Sequence, residues 1–147
     1  KKPTNFLSAL CPTIVLDDAE EAFQIGARGQ KFFAESIQHW NLGTPLPETV
    51  PPEIDIRDAV SDAKEQVEAF MVEGGHPVPA VAASTSPFNI DHAYGNKNDA
   101  IEYVTELQSA GADEIMCIMQ MGGVPHEAAM ETIRQYGQYV IPHFSDN

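Results

Sequence analysis

The residues best suited to chemistry follow a short apolar run. Residues 114–119, Glu-Ile-Met-Cys-Ile-Met, have the length and composition of a buried strand. Gln120, Met121, Gly122 and Gly123 come next, and Val124-Pro125 leads into an amphipathic stretch. If the run is a parallel strand, these four residues lie just past its C-terminal end, where α/β proteins place their ligands. The Gln120 amide can donate and accept hydrogen bonds, and the Met121 thioether offers an adaptable apolar wall. The same residues also suit a plain strand terminus whose glutamine is bonded to backbone. Gly122-Gly123 before a helix could hold a phosphate on the helix N-terminal N–H groups. His92 is the other candidate, because it precedes the end of a weaker predicted strand at 89–94; a packed or surface histidine is the competing reading. The five histidines, His39, His76, His92, His126 and His143, include no pair four apart on one helix. With no HExxH and no Cys/His cluster, no metal is expected. His126 reads as a surface or capping residue. Neither a GxGxxG or P-loop nor a recognisable Ser/His/Asp spacing is present.

These residues need elements to position them. Asn96 and Asp99 predict a capping box opening a helix that ends at Ala110, with Ile101, Val104 and Leu107 inward. Gly111 closes that helix. The strand and the glycine turn follow, then a last helix predicted over 125–141. Pro125 takes its first position, Met130, Ile133, Gly137, Val140 and Phe144 its inward face, and Pro142 ends it. Earlier in the chain, residues 6–16 contain a first strand, best placed at 13–16. Asp17-Asp18 stops it and caps a helix over 19–40. On that helix Ala22, Ile25, Gly29, Phe32, Ser36 and Trp40 share a face. Gly26 and Gly29 cost helix propensity, so they are expected to admit a neighbouring backbone. Residues 41–53 form a proline-rich loop. Residues 55–72 predict a helix with Ile56, Val60, Ala63, Val67 and Phe70 inward. Residues 74–88 read as a long loop, either passive or a lid.

The C-terminal stretch resembles the end of the luciferase-like flavin-dependent monooxygenases, which are TIM barrels. Members of that family tend to close with Ala-Gly-Ala-Asp-Glu, an apolar strand ending in Gln, Gly-Gly-x-Pro-His-Glu, and a helix running out through Val-Ile-Pro-x-Phe. Here these are residues 110–114, 115–120, 122–127 and 140–144. The phrase at 20–40 resembles, less specifically, the family's helix after its sixth strand. Lys97 stands where the family usually has proline, which leaves the capping logic intact. The resemblance implies an α/β fold, the C-terminal part of a TIM (β/α)8 barrel, with about three parallel strands and four main helices. It implies one partial-barrel domain over 1–147, since a complete barrel needs roughly 250 residues. It further implies an oxidoreductase that uses reduced flavin, FMN or a deazaflavin, and O₂ on a small organic substrate. Gln120, Met121, Gly122, Gly123 and His92 would line the flavin or substrate pocket. The family's flavin phosphate site comes mainly from loops of earlier strands, which argues against a phosphate at Gly122-Gly123. This part alone is expected to be inactive.

Composition narrows the remaining classes. The net charge of −14, from 22 acidic and 8 basic residues, leaves no basic stripe for nucleic acid or for an anionic membrane surface. No run approaches the roughly 20 apolar residues of a membrane span. Cys11 and Cys117 are expected to be buried, reduced thiols of a cytoplasmic protein. The predicted strand is apolar on both faces, so a partner is expected: a second copy, or the remainder of a parent barrel. Two other readings remain. One is a non-catalytic acidic α/β interaction module. The other is a different barrel enzyme that binds a phosphorylated substrate at Gly122-Gly123.

Overall fold

The computed structural model describes residues 5–47 and 94–145. The predicted helix at 55–72, the stretch at 74–88, His92 and most of the predicted strand at 89–94 lie outside the described residues.

One run of extended chain carries two parallel pairings. β1 (Ser8–Pro12) pairs with the strand Glu114–Ile118, placing Leu10 opposite Met116 and Cys11 opposite Cys117. β2 (Ile14–Val15) pairs with β3 (Tyr94–Gly95). Thr13 joins β1 to β2. Its N–H donates to the Ile118 carbonyl at 2.9 Å, whereas the Leu16 N–H donates to the Gly95 carbonyl at 3.1 Å. The run therefore has Glu114–Ile118, hereafter β4, on one side and β3 on the other. Donors alternate sides along a strand, so the N–H that Pro12 lacks would face away from β4, and the proline is tolerated. The first strand thus begins earlier than the apolar residues at 13–16 suggest, because β4 supplies partners as far back as Ser8.

Helices flank these strands, as an α/β fold requires. α1 (Ala19–Leu42) starts where Asp18 accepts from the Glu20 and Glu21 N–H groups at 2.9 and 3.1 Å. α2 (Lys97–Ser109) has the expected capping box: Asn96 accepts from Asn98 and Asp99, and Asp99 accepts from the Asn96 N–H at 2.8 Å. It closes in a Schellman arrangement. Gly111, at φ +96°, donates to the Gln108 carbonyl, and Ala112 donates to that of Leu107, both at 3.0 Å.

The last helix departs from its sequence pattern in three ways. Pro125 is the cap residue, and α3 (His126–Gln135) begins one position later. A π turn (Tyr136–Val140) follows, then α4 (Ile141–Ser145), so the helix runs through Pro142 instead of ending there. The Ile141 N–H reaches back to the Tyr136 carbonyl, five residues away. A proline costs least where the regular ladder is already broken, and this wide turn breaks it just ahead of Pro142. The buried side of the helix is Ala128, Ala129, Thr132, Gln135, Tyr136 and Val140, while Met130 and Ile133 are exposed. The series 128, 132, 136, 140 faces the strands. Reading only large apolar residues selects the neighbouring stripe.

Two core clusters result. One gathers Cys11, Ile14, Leu16 and Tyr94 with Ala22 and Ala27 of α1 and with Met121 and Val124. The other sets Val15 against Ala100, Tyr136 and Val140. A fully buried Ile14 is worth about 2 to 3 kcal/mol by transfer. Outside these clusters the described residues leave apolar surface open. Leu10 and Met116, opposite each other across β1 and β4, are 61% and 47% exposed. Trp40, expected on the inward face of α1, is 82% exposed, because that helix outruns the strands it packs on. The class is mixed α/β with parallel strands. The described residues do not close into a barrel, and β3 and β4 lie on opposite sides of the first strand, whereas successive barrel strands are neighbours.

Candidate functional site

The turn after β4 is built by close packing against α1. The Val124 N–H donates to the Met121 carbonyl at 3.1 Å, closing a tight turn with Gly122 at φ +55°. A side chain on Gly122 would collide with the Gly29 carbonyl of α1. A side chain on Gly29 would in turn meet Val124 Cγ2 at 2.6 Å and the Met121 carbonyl at 3.0 Å. The two glycines let turn and helix touch backbone to backbone, which is the role the sequence suggested for Gly29. Gly26 differs: it receives the Tyr94 ring, a side chain where a neighbouring backbone was expected.

This packing decides what the predicted site residues can do. Met121 is 4% exposed and belongs to the core, so its thioether lines no opening. The Gln120 amide donates to the Val124 carbonyl at 2.9 Å and braces the turn. Gly122 and Gly123 are exposed at the turn's outer side. Gln120, Met121, Gly122 and Gly123 are thus brought together as one structural unit, with Gln120 and Gly123 offering a polar edge. None of Gln120, Met121, Gly122 and Gly123 is a cation that could pair with a phosphate, and Pro125 caps α3 without a side-chain hydrogen bond.

An opening lies beside β4, where Ile115, Cys117 and Met119 face the last helix. A groove of ≈ 550 Å³ runs between β4, α2 and the π turn. Ile115, Cys117 and Met119, alternate residues along the strand, form one wall; Val104, Tyr136 and Val140 face them. The Cys117 thiol lies beside the Tyr136 phenol and the Thr13 hydroxyl, and that hydroxyl donates to the Cys11 carbonyl at 3.0 Å. Burial pushes the Cys117 thiol above its ordinary pKa, and burial together with the neighbouring thiol does the same for the Tyr136 phenol. Both stay protonated near neutrality and act as hydrogen-bonding groups. Cys117 is half-buried in the groove wall instead of fully buried as expected, and Cys11 is buried; both are free thiols. Tyr103 donates to the Cys11 sulfur at 3.3 Å.

Two buried polar residues escaped the sequence reading. The Thr132 hydroxyl accepts from the Val15 N–H at 3.0 Å and donates to the Ala128 carbonyl at 2.8 Å. It continues the edge where β4 has ended, and so satisfies a strand donor that would otherwise be orphaned. Gln135, completely buried, donates to Asp17 at 2.7 Å and to Glu131 at 2.8 Å, while its carbonyl oxygen finds no partner. Thr132 stands four residues from both Ala128 and Tyr136, and Gln135 three from Thr132; that spacing was the available signal, masked by the neighbouring stripe of Met130 and Ile133.

Among the described residues, no group of three or more His, Cys, Asp and Glu side chains gathers to hold a metal, and no helix is long and apolar enough to cross a membrane. Comparisons with protein-family models, with curated proteins and with solved structures find no match.

Proposed function

We propose that this chain is part of a luciferase-like, flavin-dependent oxidoreductase acting on a small organic molecule, with FMN or a deazaflavin as cofactor. The observation that carries the reading is the folded form of the C-terminal motif. The Schellman closure at Gly111, the parallel strand β4, the glycine turn sealed on α1 and the helix from His126 follow each other in the order the resemblance implies. Reduced flavin, when bound, supplies the oxygen chemistry; the protein contributes orientation, hydrogen bonds and exclusion of water. In this chain Gln120 and Gly123 would offer hydrogen bonds at the ring edge, and His92 is the remaining candidate contact. Met121 and Gly122 would act indirectly, by holding that edge against α1. The uncovered Leu10 and Met116 face would be closed by the rest of a parent barrel or by a second copy of the chain.

The rival reading is a non-catalytic α/β module. The strand order favours it, because β3 and β4 do not lie side by side as barrel strands do. A fluorescence titration of FMN tests the flavin reading. Saturable quenching at micromolar protein, weakened by Gln120→Ala, is expected. Quenching that Gln120→Ala leaves unchanged would remove Gln120 and Gly123 as the ring contact and, with it, the observation that favours this reading over the module.

A further inference from the structure

We propose that the groove between β4, α2 and the π turn binds a small, neutral, largely apolar molecule with one hydrogen-bonding end. The inference rests on the groove alone and holds whether or not the chain serves a flavin enzyme.

Size and wall chemistry set the class of ligand. At ≈ 550 Å³ the groove falls in the range of small-molecule sites, which are mostly apolar with a few placed polar groups. No Asp, Glu, Lys, Arg or His lines it. A carboxylate, phosphate or ammonium placed there would lose its hydration without gaining a counter-charge. The net charge of −14 further opposes anions. Polar groups in the wall are few. The Ser145 hydroxyl already donates to the Ile141 carbonyl at 2.9 Å. What remains is the pair Tyr136 and Cys117, which both line the groove and can present a phenol oxygen or a thiol to one polar end of a ligand.

The π turn is the second observation. Such turns recur at functional sites because they displace a short run of side chains from regular helical register. Here Tyr136 and Val140 are buried while Gly137 between them lines the groove, and a side chain added at Gly137 would meet no atom within 4 Å. The volume is therefore open space beside a strand whose groove-facing residues Ile115 and Cys117 are only half-buried. A second copy of the chain suits it poorly. The helices on either side are acidic, with Glu102 and Glu106 exposed on α2 and Glu127 on α3, so a copy would bring like charges together.

The test is a titration with Nile red, a neutral dye, followed by its fluorescence. One saturable site is expected, displaced by 1-decanol and not by decanoate. Gly137→Leu fills the groove and should weaken dye binding by at least about tenfold with the far-ultraviolet circular dichroism unchanged. Should that variant misfold, the double change Ile133→Ser with Ile141→Ser, at the exposed rim, should weaken binding in the same direction. 1-Decanol should also slow alkylation of Cys117 by N-ethylmaleimide. Trp40→Ala removes a different exposed apolar residue and should leave binding unchanged. The proposal falls if decanoate competes as well as 1-decanol, if groove variants bind normally, or if Trp40→Ala abolishes binding. It also falls if the chain shows no saturable binding and is a dimer that Gly137→Leu dissociates, which would assign the groove to a second copy. A failed FMN titration leaves every one of these outcomes readable.

Discussion

The turn after the last strand and the groove beside that strand are made from the same stock of small and apolar residues, yet one is sealed and the other is open. In the turn, the places where Gly29 and Gly122 lack side chains are filled, by Val124 and the Met121 carbonyl at Gly29 and by the Gly29 carbonyl at Gly122. In the last helix, the place where Gly137 lacks one is empty, and it lies in the groove wall. A glycine in an amphipathic pattern therefore marks a site only when no neighbour occupies the space it leaves. The conspicuous Gly-Gly pair belongs to packing, and the inconspicuous single glycine belongs to the opening.

That contrast can be broken or sharpened by substitution. The largest effect is expected at Gly122→Ala. It forces a side chain into a positive φ and onto the Gly29 carbonyl, so a loss of about 3 kcal/mol is expected in urea unfolding. A neutral result would mean that the turn and α1 are not in contact, and the sealed side of the comparison would disappear. Thr132→Val comes next. It strips the buried Val15 N–H of its acceptor and should cost about 2 kcal/mol, with hydrogen exchange at Val15 accelerated. Unchanged exchange there would show that the helix does not complete the strand edge. The smallest effect, opposite in sign, belongs to Gly137→Ala. With open space ahead of the new methyl group, a gain of about 0.5 to 1 kcal/mol is expected from helix propensity alone. A loss at this position would place an atom where the groove now is.

The polar floor of the groove illustrates why the open side resisted a reading from sequence. Cys117 was legible as a mid-strand thiol, and its neighbours Ile115 and Met119 as core. Their exposure to a groove depends on how far the last helix stands from β4. The π turn lies in the wall of that groove, and nothing local in Tyr136–Val140 announces a change from four-residue to five-residue bonding. Thr132 and Gln135 were hidden for a related reason. Each is buried because a strand end or an acidic side chain from a segment more than a hundred residues away needs its partner there.

What the sequence determined by itself is local. The Asp18 cap, the Asn96 and Asp99 capping box, the closure at Gly111 and the strand starting at Glu114 follow from hydrogen bonds and backbone preferences within a few residues, and each appears where its residues dictate. The α/β class was legible as well, from the alternation of apolar runs with helical periodicity. Tertiary structure alone decided which strand lies between the other two, since the same apolar residues can pair on either edge of a parallel sheet. It alone turned Gln120 and Met121 from candidate ligands into supports of a turn, because α1 must approach before the turn has anything to rest on. Side-chain chemistry sets what a residue is able to do; the approach of distant backbone decides whether any space is left in which to do it.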